Sequence, residues 1–358
     1  MNTRSGPETP QRSSPISSQP HSTPLSQNSS KLPESDKRTQ DVLKLTMRQE
    51  LAGAVFKSDR LIEHIYPNCP DSEAHNVITH MTKKNTLRFD PVPNTKEEDS
   101  YKPFIHLLNG IIEAMDEKKL MKNSVYKDTK FEVYDKPMKE GTGSDDALKP
   151  DLISRSSKRS GTTSASWTEV ELCVEVKNNF MDMVAQGSTY ARSLFYFQRA
   201  RRFVTMIYLH HGRKEVRFGI YTASWLCLSN PINIGIEPGL REFVKSMVRI
   251  YSCRNWWDAG FDTSCNMRKC SIKGLGVYSI TDNLCHRNSI LGRRTRVDVM
   301  DKSMCSASKL VTFLLILLQT NHCPLISISC AAFQRRLPIR WRQMTNTPLY
   351  LVVELLLI

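Results

Sequence analysis

The sequence predicts an α/β (α+β) fold with a mixed central sheet flanked by helices, and three observations carry that expectation. Residues 101–121, "YKPFIHLLNGIIEAMDEKKLM", place Phe104, Leu107, Leu108, Ile111, Ile112 and Met115 at helical spacing on one face. Three short strand-like runs follow: "KFEVYDKPM" at 130–138, "KPDLIS" at 149–154 and "ELCVEVKNN" at 171–179. A long helix-compatible stretch at 181–203 then leads into two more strands, "FVTMIYLH" and "EVRFGIYT", joined by an "HGRK" turn. A helix, three strands, a helix and two strands in that order call for a layered sheet with helices packed against it.

The remaining segments follow from composition and punctuation. Residues 1–38 are rich in Ser, Pro, Thr and Gln and poor in large apolar residues, so burial cannot offset the entropy of ordering them, and a disordered tail is expected. From Gln40, "QDVLKLTMRQELAGAVF" and "RLIEHIYP" read as helices that stop at Pro67 and Pro70. Pro103 suits the first turn of the 101–121 helix, where its missing N–H costs nothing. Residues 236–252 are again helical in pattern. Beyond Val299 acidic residues become rare, long aliphatic runs appear and neither structural period persists, so no domain is expected there.

Bulk properties limit the function classes. With 358 residues, 40% of them hydrophobic, the chain can bury a sizeable core. A formal charge of +14 favours an acidic partner such as nucleic acid, although charge speaks to association and not to fold. Ten cysteines without paired metal-type spacing read as reduced thiols, with Cys265 and Cys270 the nearest pair. The polar first thirty residues predict no signal peptide, and "LVTFLLILL" at 310–318 is too short to span a bilayer. The expectation is an intracellular chain, cytoplasmic or nuclear, without a membrane partner.

The stretch with the most chemistry is 171–179. Alternation puts Glu171, Cys173, Glu175 and Lys177 on one side of a strand and Leu172, Val174 and Val176 on the other. A half-buried strand with its charges in water accounts for all of them. Asp151, behind Pro150, begins the preceding strand and could stand beside Glu175 across the sheet. Two adjacent carboxylates repel unless a cation or proton lies between them. With Lys177 they would form a magnesium site and its charge-stabilising cation.

This arrangement of Pro150, Asp151, Glu175 and Lys177, within an α-β-β-β-α-β order at about 100–225, resembles the PD-(D/E)xK nuclease core. The resemblance implies Mg2+, a further acid on the first helix, for which Glu113 is the candidate, and phosphate or nucleic-acid contacts from the next helix. Gln186, Tyr190, Gln198, Arg201 and Arg202 are the candidates there. Their alternative is a basic helix end complementing the helix dipole.

Over a longer span, "KPDLI", "WTEVELCVEVKNN", "TYARSLFYFQRARRFVTMIYLH", "PGLREFVKSMVRIYSCRNWWDAGFDTS" and "SILGRRTRV" resemble, in order, the fungal-type protein kinase family. That likeness implies an accessory domain at 39–284, the start of a kinase small lobe at 285–300, ATP and Mg2+ as cofactors, and protein Ser/Thr as phosphate acceptor. Gly292 would belong to the glycine loop that covers ATP phosphates, but Arg294 stands where a second glycine is expected. Lys309, in an "A-x-K" triplet, lacks strand-like flanks. "HRN" at His286 to Asn288 lacks the catalytic Asp and precedes the glycine loop. Fewer than 70 residues follow Gly292. The expectation is therefore a kinase relative without catalysis, residues 301–358 being an irregular tail outside the family pattern. The alternatives are a Mg2+-dependent nuclease and a non-catalytic nucleic-acid or protein-binding module.

Overall fold

The computed structural model describes residues 40–91, 96–140, 148–159, 164–265, 269–272, 276–286, 296–302, 313–320 and 323–329. The tail expected at 1–38, Gly292, Arg294 and Lys309 lie outside them.

Six helices and thirteen strands make up the described elements. They run α1 (Gln40–Leu51), β1 (Val55–Ser58), α2 (Leu61–Ile65), α3 (Asp71–Lys83), α4 (Tyr101–Glu117), β2 (Thr129–Val133), β3 (Leu152–Ser156) and β4 (Leu172–Lys177). There follow α5 (Phe180–Phe197), β5 (Val204–His210), β6 (Glu215–Tyr221), β7 (Leu226–Ser229), β8 (Ile232–Asn233) and α6 (Glu237–Tyr251). The last five strands are β9 (Lys269–Ile272), β10 (Gly276–His286), β11 (Arg296–Lys302), β12 (Phe313–Thr320) and β13 (Cys323–Ser329).

Strands β1 to β8 form one mixed sheet in the order β1-β7-β6-β5-β4-β3-β2, with β8 added to β6. β2, β3 and β4 are antiparallel neighbours, and α5 then carries the chain over to β5, which runs parallel to β4. This is the predicted mixed sheet flanked by helices. The sheet is covered on both faces. Leu172, Val174 and Val176 of β4 enter one apolar cluster with α3, α4 and α6, while Cys173 enters a second with α1 and α5. The reading of β4 as a half-buried strand with a watered polar face is thereby corrected, because α5 packs over the face that carries Glu175.

Several helix ends match their local sequence. On α4 the residues predicted to share a face, Phe104 through Met115, are all buried. α2 ends before Pro67, and Asn179 caps α5 by accepting from the backbone N–H groups of Met181 and Asp182. At the amino end the expectation fails. The helix predicted through Phe56 stops at Leu51, Gly53 takes a φ of +75°, and Val55–Ser58 become β1, an edge strand parallel to β7. α3, β7 and β8 were not anticipated.

A second, five-stranded antiparallel sheet runs β13-β12-β11-β10-β9. Its last two strands fall within residues 301–358, where no domain was expected. Cys265 and Cys270 face each other across an isolated antiparallel bridge and form a disulfide, which corrects the reading of all ten cysteines as free thiols. Cys69, Cys173, Cys227 and Cys253 are free and buried.

The α5–sheet contact depends on a missing side chain. A Cβ at Gly187 would stand 2.6 Å from the Tyr208 hydroxyl. That hydroxyl cannot readily move away, because it bonds Tyr221 Oη at 2.5 Å, and Tyr221 bonds Ser188 Oγ at 3.0 Å. Gly187→Ala should therefore destabilise the protein by about 1–3 kcal/mol, read as a lower melting temperature despite alanine's better helix propensity.

Candidate functional site

β4 ends with the sequence Glu175, Val176, Lys177, and the neighbouring strands decide what meets it. The β3–β4 register pairs Leu152 with Val174, so the next step brings Asp151 beside Glu175. Asp151 is fixed at both oxygens. It accepts from the Val176 backbone N–H at 2.8 Å and from the Tyr101 hydroxyl at 3.0 Å. The same hydroxyl lies 2.9 Å from Glu97 Oε1, in the turn just before α4.

Glu175 is fully buried. Lys177 Nζ lies 2.8 Å from Glu175 Oε1 and 3.7 Å from Glu97 Oε1. Beyond this close ion pair with Lys177, neither Glu175 oxygen has a geometrically aligned hydrogen-bond partner among the described residues. A buried carboxylate is costly unless paired, and Lys177 is the charge that pairs with Glu175 here. Burial, and next the Asp151 charge, push the Glu175 carboxyl up to about 8. Burial raises Asp151 to about 6, against the pull of the Val176 amide and Lys177. Burial also lowers the proton affinity of Lys177, but the carboxylates of Glu175, Asp151 and Glu97 outweigh it and the net direction is up.

α5 lines the other side. Gln186 Nε2 donates to Tyr190 Oη at 2.6 Å, and that hydroxyl donates to the Lys149 carbonyl at 2.9 Å. The pair thus pins the loop that carries Asp151. No group of three or more His, Cys, Asp or Glu residues with metal-binding geometry occurs among the described residues. A divalent ion here would have Asp151 and Glu175 as its principal protein ligands. That number fits Mg2+, which keeps several waters and takes one or two carboxylates together with substrate phosphate.

The sequence-predicted residues divide into two groups. Asp151, Glu175 and Lys177 come together as expected, with Gln186 and Tyr190 adjacent. Glu113 does not join them, because it is exposed on α4. Glu97 supplies the third acid near the site, and neither it nor Tyr101 was anticipated. The signal was "EEDSY" at 97–101, an acidic run touching the start of a confident helix.

Gln198, Arg201 and Arg202 stand at the other end of β4 and bind protein. Gln198 Nε2 donates to the carbonyls of Trp167 and Val170 at 2.6 and 2.5 Å. Arg201 donates to Gln198 Oε1 and to the Glu171 carbonyl, and its guanidinium lies over Phe261. Arg202 stacks 3.5 Å from the Trp257 ring centroid and donates to the Trp257 carbonyl. The expected phosphate contacts from these three are replaced by internal ones, because the chain turns back after α5 over their donors.

The fold and site define a mixed-sheet domain with a buried acid–lysine cluster at its strand ends. Residues 149–306 are similar to the family model described as fungal protein kinase. No curated protein and no solved structure matches the chain. The matched segment begins at Lys149, two residues before Asp151, and contains β3 to β11. Among the described residues no helix is long and apolar enough to cross a membrane.

Removing the Gln198 side chain should leave the Trp167 carbonyl without this donor and the Val170 carbonyl with only the longer Arg201 bond at 3.3 Å. Gln198→Ala is expected to cost about 1–3 kcal/mol in a denaturant melt while leaving divalent-ion binding at the far end of β4 unchanged. A loss of ion binding without a loss of stability would contradict this assignment.

Proposed function

We propose that this kinase-family chain carries a Mg2+-dependent phosphodiester-hydrolysis site of the PD-(D/E)xK type, with nucleic acid as substrate class. One observation carries the reading: Glu175 is a fully buried carboxyl beside Asp151 and 2.8 Å from the Lys177 ammonium, two acids and a lysine gathered at one strand end. Lys177 supplies one positive charge for Asp151 and Glu175 together, and a divalent cation would balance the remaining charge. Bound Mg2+ would supply Lewis-acid stabilisation of charge growing on a phosphoryl oxygen.

The protein groups have distinct parts in this reading. Asp151 and Glu175 hold the ion. Tyr101 and the Val176 amide keep Asp151 oriented before any ion arrives, so little reorganisation is needed. Lys177 keeps a positive charge beside the carboxylates and presents it to the phosphate. Glu97, fixed by Tyr101, limits where the Lys177 ammonium can go.

The family match favours a second reading, ATP-dependent phosphoryl transfer to protein. It would rest on the glycine loop around Gly292, and the sequence contains no catalytic "HRD" or "DFG". We expect this chain, incubated with labelled ATP and a generic protein acceptor, to transfer no phosphate; measurable transfer abolished by substitution of Gly292 would reverse that ordering.

Isothermal titration of Mg2+ or Mn2+ into the full chain tests the first reading. Saturable binding is expected, weakened at least about tenfold, or about 1.4 kcal/mol, in Glu175→Gln and Asp151→Asn. Cleavage of a labelled oligonucleotide should fail in both variants. Heat indistinguishable from dilution in the wild type would remove the proposal.

Stability should also follow pH. The carboxyls of Asp151, Glu171 and Glu175 titrate at about 6, 7 and 8 in the fold, each raised chiefly by burial. Their contribution is complete below the ordinary carboxylate range near pH 4 and is lost as pH climbs through those three values. The melting temperature should fall from pH 5 to 8.5 in metal-free buffer. Glu175→Gln should flatten the upper part of that fall, and added Mg2+ should raise the melting temperature more at pH 8 than at pH 6.

A further inference from the structure

We infer that the β5–β6 turn, His211 to Lys214, is a phosphate-contacting surface that receives a nucleic-acid strand leaving the Asp151–Glu175–Lys177 site. The inference rests on the reading of that site as phosphodiester chemistry for its substrate class, and adds to it the surface and residues that hold the strand.

Register puts the turn beside the site. β4 and β5 are parallel, and Lys177 pairs with His210, the last residue before the turn. β3 runs antiparallel to β4, so Lys149, two residues ahead of Asp151, lies at the same end of the sheet. With strands about 4.8 Å apart, Lys149, Lys177 and His210 line a row about 10 Å long, and Arg213 and Lys214 extend it past β5.

The turn is held rigidly. Asn178, which follows Lys177, accepts from the Gly212 backbone N–H at 3.0 Å. A Cβ at Gly212 would come within 2.9 Å of that same Asn178 oxygen, so the approach needs glycine. Lys214 takes a left-handed φ of +54°, and its carbonyl accepts from Ile234 N at 2.8 Å. His210 Nδ1 faces the Arg213 N–H at 3.3 Å.

Its charges are also uncompensated. Some cations elsewhere on the surface have carboxylate partners: Arg48 with Asp182, Lys158 with Asp128, Arg241 with Glu237, Arg249 with Asp71. The side chains of Lys149, His211, Arg213 and Lys214 have no hydrogen-bond or ion-pair partner among the described residues. Glu215, half-buried at the start of β6, is the acid next to them in sequence. Fixed backbone beneath unpaired cations lowers the ordering cost of binding an anion, and the position next to a phosphodiester site makes a polynucleotide the anion that fits.

The test is fluorescence anisotropy of a labelled 20-nucleotide single strand with the full chain in EDTA, over a series of salt concentrations. Arg213→Ala combined with Lys214→Ala should weaken binding at least about fivefold and reduce the slope of log K against log salt by about 1–2, at roughly 0.7 per lost contact on a single strand. Lys158→Ala, at the opposite end of β3, should bind as the wild type does. Mg2+ titration should be unchanged in the double variant, which separates the two proposals. Equal affinity and slope in wild type and double variant would overturn the turn as a contact surface, as would absence of oligonucleotide binding in a chain that takes up Mg2+. Oligonucleotide binding that depends on the turn in a chain that takes up no Mg2+ would leave the surface standing and remove the metal site.

Discussion

The β4–α5–β5 crossover is the constraint on which the rest depends. A parallel pair of strands needs a helix over one face, and that helix buries whatever side chains point towards it. In this chain those side chains include Glu175. A charge that an antiparallel edge strand would have left in water is held in the interior, and its neighbours are organised around it. Asp151 is fixed by an amide and a phenol, Lys177 bends back along its own strand, and Tyr190 ties down the loop leading to β3.

The two ends of β4 have opposite characters. At its start, Gln198 and Arg201 donate to the carbonyls of Val170 and Glu171 inside the protein. At its finish, three acids, Glu97, Asp151 and Glu175, share the ammonium of Lys177. Such a gradient along one strand agrees with a fold in which one end gives stability and the other is kept for a ligand. The family-model match at 149–306 spans both ends of β4.

The sequence made the order of the elements and the acid–lysine trio legible for one reason: alternation and helical spacing are local signals. Phe104 to Met115 needed only their own spacing, and Asp151 needed only Pro150 and a following strand. What it concealed was decided by tertiary contact. Arg201 at a helix end looks the same whether it meets water or the carbonyl of Glu171. Glu97 and Glu113 are both acids close to α4, and only the turn that brings Tyr101 onto Asp151 distinguishes them. Val55 and Phe56 continue an apolar pattern that suits a helix until Gly53 breaks it, and the partner strand β7 lies some 170 residues away.

The bond from the Val176 amide to Asp151 Oδ2 makes the backbone a witness to the site. A peptide proton held by a carboxylate has a resonance position that depends on whether that carboxylate is charged, neutral or shared with a cation. The centre of this domain therefore contains its own reporter nucleus, readable in solution without substrate, turnover or an introduced label.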